Sequence, residues 1–252
     1  MLGLVGFRSG LEADLEHAVY FEGILDGFVV KPVTVSAWPV FTATFGHCAR
    51  MGVRPELAVR PDDTAAILAH LLVGEVPVYS WPAGNAGKGE EPGAPCLAQD
   101  DGWARGKGLS RQDIFLKNTF EVLSHVARLR VRQTLLYHQM LTPDGRVRES
   151  YFGPDLRIVV NFGPGNYEDK EDAFVIPPQG FVVRHPFLYA FHALRANDVA
   201  YERPAFFVVR SLEGKMYLRA EQVKIFHGFG PEDIQLGGKT FHVEREAVVK
   251  IW

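Results

Sequence analysis

Two hydrophobic periods divide this chain. As far as residue 133, apolar positions recur at helical spacing or gather into short runs. From residue 134 onward they alternate with polar ones, as on half-buried strands. The first apolar run, residues 2–7, is stopped by Arg8-Ser9-Gly10 and predicts a buried strand. A second strand is expected over 33–38, where β-branched residues precede Pro39. Asp62-Asp63-Thr64 then opens a helix with negative charge at its N-terminal end. Ile67, Leu68, Leu71 and Leu72 supply its apolar stripe, and Gly74 stops it. Residues 75–81 follow as a third strand. Helix and strand alternating at this spacing indicate a parallel sheet or barrel.

Residues 82–107 form a long connection dense in Gly and Pro, with little to bury. Ser110, with Asp113 three residues on, marks the start of the longest helix. Phe115, Val122, Val126 and Leu129 give that helix its stripe, which Leu116, Phe120, Leu123 and Ala127 widen. Beyond it, 133–141 and 146–152 flank Thr142-Pro143-Asp144-Gly145, a hairpin turn with Asp-Gly in its preferred place. Further strands are expected over 156–162, 173–176, 181–184, 201–210, 215–219, 222–227 and 248–252. Short strands separated by Gly and Pro turns are the pattern of an antiparallel sandwich.

The expected architecture is therefore α/β plus all-β. Residues 1–133 read as part of a (β/α) barrel with a joining helix, and 134–252 as an antiparallel β-sandwich. A complete eight-unit barrel takes roughly 250 residues. The three strands and two helices predicted before residue 134 supply less than half of one. The chain thus reads as the end of a larger enzyme.

Composition narrows the partners. Net charge is −3 and basic residues are scattered singly, so no basic face offers itself to a nucleic acid. No apolar run approaches the roughly 20 residues of a membrane-spanning helix, and the first residues lack the pattern of a secretory signal. A cytoplasmic protein without membrane partners is expected. The nine His do not pair at His-x-x-x-His spacing and form no ligand cluster with the two cysteines, Cys48 and Cys96, so no metal is expected. Gly163-Pro164-Gly165-Asn166 lacks the Lys-Ser/Thr and following helix of a phosphate loop, and no cofactor is predicted.

Several stretches resemble large barrel glycoside hydrolases in their C-terminal part. Asp155-Leu156-Arg157-Ile158-Val159-Val160-Asn161-Phe162-Gly163, followed by Ile176-Pro177-Pro178-Gln179-Gly180-Phe181, looks like their C-terminal sandwich. Tyr20-Phe21-Glu22-Gly23, Trp38-Pro39-Val40-Phe41 and Leu71-Leu72-Val73-Gly74-Glu75-Val76-Pro77 resemble their last barrel units. The long helix and the stretch from His138 to Gly145 resemble the junction between the two. Where that family carries a Gly-Ser-Glu-like step, this chain reads Gly6-Phe7-Arg8-Ser9-Gly10, and the nearest carboxylate is Glu12. The resemblance implies a carbohydrate partner and hydrolysis of a glycosidic bond.

Such hydrolysis uses two carboxylates, about 5–5.5 Å apart for retention and about 6.5–9.5 Å for inversion. Glu12, Asp14, Glu16 and Glu22 form the dense carboxylate cluster beside a predicted strand end. Glu12 and Glu22 are the candidate catalytic pair. Trp38, Tyr79 and Trp81 lie at predicted strand ends, where they would stack on a sugar, and His47 would bond its hydroxyls. Two other readings compete with catalysis. One is a non-catalytic carbohydrate-binding or structural fragment of a glycosidase. The other is a homo-oligomer in which two copies complete each other's open barrel edges.

Overall fold

The computed structural model describes residues 20–22, 29–31, 58–59, 64–73, 78–79, 97–130, 133–169 and 172–252. The expected strands over 2–7 and 33–38, and both cysteines, lie outside these residues. Sixteen strands and two helices are described, together with a 3-10 turn at Tyr217–Arg219.

Strands β1 (Tyr20–Glu22) and β2 (Val29–Lys31) pair antiparallel. Strands β3 (Ala58–Val59) and β4 (Val78–Tyr79) pair parallel, with helix α1 (Thr64–Val73) between them. That one βαβ unit follows the predicted helix-then-strand order. A partial barrel is not seen among the described residues: beside the single parallel pair stands an antiparallel one, where helix–strand alternation was expected. On α1, Ile67, Leu68, Leu71 and Leu72 are all buried, as their spacing requires.

Helix α2 (Arg111–Arg130) begins at the predicted cap. The Asp113 backbone N–H donates to Ser110 Oγ at 3.2 Å, and the Ser110 N–H donates to Asp113 Oδ2 at 3.2 Å. The reciprocal bonds satisfy donors that a helix start leaves unpaired. Its buried face is narrower in apolar content than the stripe suggests, because Phe120 is 58% exposed. Asn118 and Glu121 are buried instead. Asn118 donates to the Leu97 carbonyl at 2.8 Å, and Glu121 pairs with Lys117 at 2.5 Å.

The rest of the chain is antiparallel. Its strands are β5 (Leu135–Met140), β6 (Val147–Phe152), β7 (Leu156–Asn161), β8 (Tyr167–Asp169), β9 (Phe174–Ile176) and β10 (Phe181–His185). They continue as β11 (Leu188–Ala196), β12 (Val199–Ser211), β13 (Val223–Phe229), β14 (Asp233–Leu236), β15 (Lys239–His242) and β16 (Glu246–Val249). Ten of these form one sheet, whose main path runs β16-β13-β12-β11-β10-β7-β6-β5, with β9 pairing β11 and β8 pairing β9. Strands β14 and β15 form a separate hairpin. The antiparallel β-rich domain is as expected, but its strands make one dominant sheet and a small hairpin.

Both faces of that sheet are buried. Toward the helices point Ile158, Val160, Phe181, Val183, Phe206 and Phe226, which pack with Leu68 and Leu71 of α1 and with Phe115 and Val126 of α2. On the other face Val159, Val182, Phe191, Phe207 and Ile225 pack with Ile234, Leu236 and Ile251. A strand covered on both sides shows no polar alternation. This is why β11, central in the sheet, escapes the periodicity that reveals its neighbours. It is joined to β12 by Asn197 and Asp198, with φ of 49° and 64°. Ala196 pairs directly with Val199 across this two-residue turn, which needs both central residues at positive φ. The strand expected over 215–219 is instead the 3-10 turn at Tyr217–Arg219.

Candidate functional site

The β5–β6–β7–β10–β11 register sets five side chains in one row on the face away from the helices. Tyr137 lies opposite Tyr151, Tyr151 opposite Arg157, Arg157 opposite Arg184, and Arg184 opposite Tyr189. Residues in register share a face because side chains alternate along each strand. The row therefore carries two guanidinium groups between tyrosines. The Tyr137 and Tyr151 ring centroids are 6.1 Å apart.

Arg157 is buried and heavily compensated. Its Nη1 lies 2.8 Å from Asp169 Oδ2, and it also bonds Glu149 and Asp172. Burial opposes its charge, but the Asp169 and Glu149 carboxylates outweigh that and raise its pKa. Glu149 is held from a second side by Gln139, which donates to it at 2.6 Å. Asp172, in the turn between β8 and β9, bonds Arg184 as well as Arg157. It thus ties together two strands that are already neighbours. Burial opposes the charge of Arg184 too, and Asp172 restores it.

Above these groups opens a cavity of about 450 Å³. Tyr151, Arg157, Asp172, Arg184, His185 and Tyr217 are among the residues that line it. The Tyr217 ring stacks on buried Tyr189 with centroids 6.1 Å apart and 12° between planes. Its backbone N–H donates to the Pro186 carbonyl at 2.8 Å, which holds the 3-10 turn to the sheet. His185 Nδ1 accepts from the Phe187 N–H at 3.2 Å. Burial lowers the His185 pKa and the Asp155 carboxylate partly offsets this. Asp155 is exposed at the end of the turn leading into β7 and lines the same cavity.

The arrangement offers fixed donors on Arg184, an acceptor on Asp155 and aromatic edges on Tyr151 and Tyr217. A small number of oriented polar groups in a partly apolar cleft is the usual make-up of a small-molecule site. Among the described residues, no group of three His, Cys, Asp or Glu is placed to hold a metal ion. No helix among them is long and apolar enough to cross a membrane.

The predicted site residues lie elsewhere. Glu12, Trp38, His47 and Trp81 are outside the described residues. Glu22 closes β1 and Tyr79 closes β4, and those strands belong to two different two-stranded sheets. The sheet cavity was not anticipated. Its signal was nonetheless present: Arg157 interrupts Leu156-Ile158-Val159-Val160, and Arg184 ends Phe181-Val182-Val183. A charge inside an apolar strand needs a buried partner or a ligand.

Compared with protein-family models, with curated proteins and with solved structures, the chain matches none.

Proposed function

We propose that this is a carbohydrate-directed protein whose sheet domain binds a glycan in the Arg157–Arg184 cavity. The observation that carries the reading is the cavity itself, lined by two guanidiniums, two carboxylates and two tyrosines. Sugars present hydroxyls that both donate and accept, beside C–H faces that pack on aromatic rings. Arg184 and Asp155 supply the complementary donor and acceptor, and Tyr151 and Tyr217 supply ring surface. The resemblance of the Asp155–Gly163 and Ile176–Phe181 stretches to the C-terminal region of barrel glycoside hydrolases supports the same substrate class.

Binding is favoured over catalysis in this cavity, because Asp172 is committed to two guanidinium partners. Hydrolysis by Glu12 and Glu22 is the second reading, supported by the resemblance and by the position of Glu22 at the end of β1. The test of the first is calorimetric titration of the full chain with a panel of neutral oligosaccharides. At least one should bind, and Arg184→Ala and Tyr151→Ala should each weaken it about tenfold, the loss of roughly 1.4 kcal/mol. Binding unaffected by both substitutions would overturn the site. The second reading is checked by assaying release of reducing ends with wild-type chain and Glu22→Gln. Activity that survives Glu22→Gln unchanged would remove Glu22 from the chemistry.

A further inference from the structure

The charges around the cavity are unequal, and their imbalance bears on which glycan would enter. Arg157 and Arg184 pair with three carboxylates, Glu149, Asp169 and Asp172, and a fourth, Asp155, lines the same cavity. Glu149 and Asp169 are buried behind Arg157, with 4% and 3% of their side chains exposed, so they act from within a poorly screened region. Arg157 is thereby neutralised from the sheet side and has little positive field left for a ligand. Arg184 keeps 43% exposure, but its charge is met by Asp172. Among the described residues Asp155 has no ion pair, and its carboxylate acts on the charge of His185. Because burial disfavours the charged form of that imidazole, His185 does not supply a compensating charge near neutral pH. Among the described residues around the cavity the carboxylates therefore exceed the cations by two, with the exposed surplus at Asp155.

Resting on the carbohydrate reading, we infer that the cavity selects a glycan bearing a protonated amine, an amino sugar, with Asp155 as the residue that receives the ammonium group. An acidic sugar would meet two buried carboxylates behind a spent guanidinium and would be repelled. A neutral sugar would bind through hydroxyls alone. An ammonium group would gain a charge-assisted hydrogen bond to a carboxylate that has no ion pair among the described residues. Exposure of Asp155 keeps the gain modest, within the range of surface ion pairs.

The experiment compares three tetrasaccharides by calorimetry on the full chain at pH 6 and low salt: a glucosamine oligomer with free amines, its N-acetylated counterpart and a galacturonate oligomer. The free-amine oligomer is expected to bind about fivefold more tightly than the acetylated one, with the galacturonate weakest. The preference should shrink in high salt and vanish in Asp155→Asn, a surface change whose unchanged melting temperature confirms an intact fold. Equal or tighter binding of the acetylated or galacturonate oligomer overturns the amine selection while leaving the carbohydrate reading in place. An amine preference that survives Asp155→Asn overturns the role of Asp155. Binding of none of the three, nor of any neutral oligosaccharide, overturns the carbohydrate reading itself.

Discussion

Glu149 and Arg157 stand on neighbouring strands as diagonal partners on one face, and they form a buried ion pair. Tyr151 lies directly opposite Arg157, and Glu149 is two residues before it, so the side chains reach each other across the ladder. With Asp169 added, this guanidinium pairs with two carboxylates buried beneath a mostly apolar sheet.

Removing the guanidinium should therefore cost much more than removing a surface charge. Arg157→Met is expected to destabilise the fold by about 3–5 kcal/mol, since it leaves buried carboxylates uncompensated. Combining it with Glu149→Leu should recover part of that loss. Urea unfolding of the two variants checks both statements, and a double variant less stable than Arg157→Met would contradict the compensation.

The start of α2 offers a smaller, local test. Ser110→Ala deletes the hydroxyl that accepts the Asp113 N–H, and about 1 kcal/mol of stability should go with it. Thermal unfolding followed by circular dichroism reads the change.

Gly102 marks a place where two backbones approach. A Cβ there would lie 2.3 Å from the Gly228 carbonyl oxygen and 2.8 Å from that of His227. The adjacent Trp103 N–H donates to the same His227 carbonyl at 2.8 Å, so the segment has no room to retreat. Gly102→Ala should cost about 1–3 kcal/mol, the range of overpacking in a tight interior. A melting temperature equal to wild type would refute the close approach.

Acid should destabilise the protein from below about pH 6.5, before the carboxylates titrate. His192 is buried among Phe181 and Phe229, and burial lowers its pKa to about 4, against a partial opposing effect of the Gln179 carbonyl. In the unfolded chain the same imidazole takes its proton near pH 6.5. Its neutral form therefore contributes stability that is whole above pH 6.5 and is lost as pH falls toward 4, on the order of 3 kcal/mol. His138 acts in the same direction, its pKa also lowered to about 4 by burial and by Arg148. The slope of stability against pH between 6.5 and 4 should be reduced in His192→Phe. An unchanged slope would count against a neutral buried imidazole at that position.

The elements that local chemistry dictates were legible in the sequence. Ser110 and Asp113 mark the start of α2, the Thr142–Gly145 stretch turns β5 into β6, and the four leucine and isoleucine positions of α1 all reach the core. Gly145, with φ of 65°, occupies the position that Asp-Gly predicts. What the pattern hides is whatever is buried on both sides or assembled from distant residues. Strand β11 has no alternation to detect, and Met216-Tyr217-Leu218 looks like a strand until Pro186 and Tyr189 fix it as a turn. The cavity depends on Asp172 reaching Arg157 and Arg184 from a turn, a meeting that no spacing along the chain encodes. Arg157 and Arg184 could have been suspected as charges in apolar strands; their partners could not.

The most direct test of glycan binding in the Arg157–Arg184 cavity is backbone amide chemical-shift mapping of the full chain during titration with a binding oligosaccharide. Saturable shifts concentrated at Tyr151, Asp155, Asp172, Arg184 and Tyr217 are the predicted result. Shifts that are absent there, or that cluster on a different surface, would contradict it.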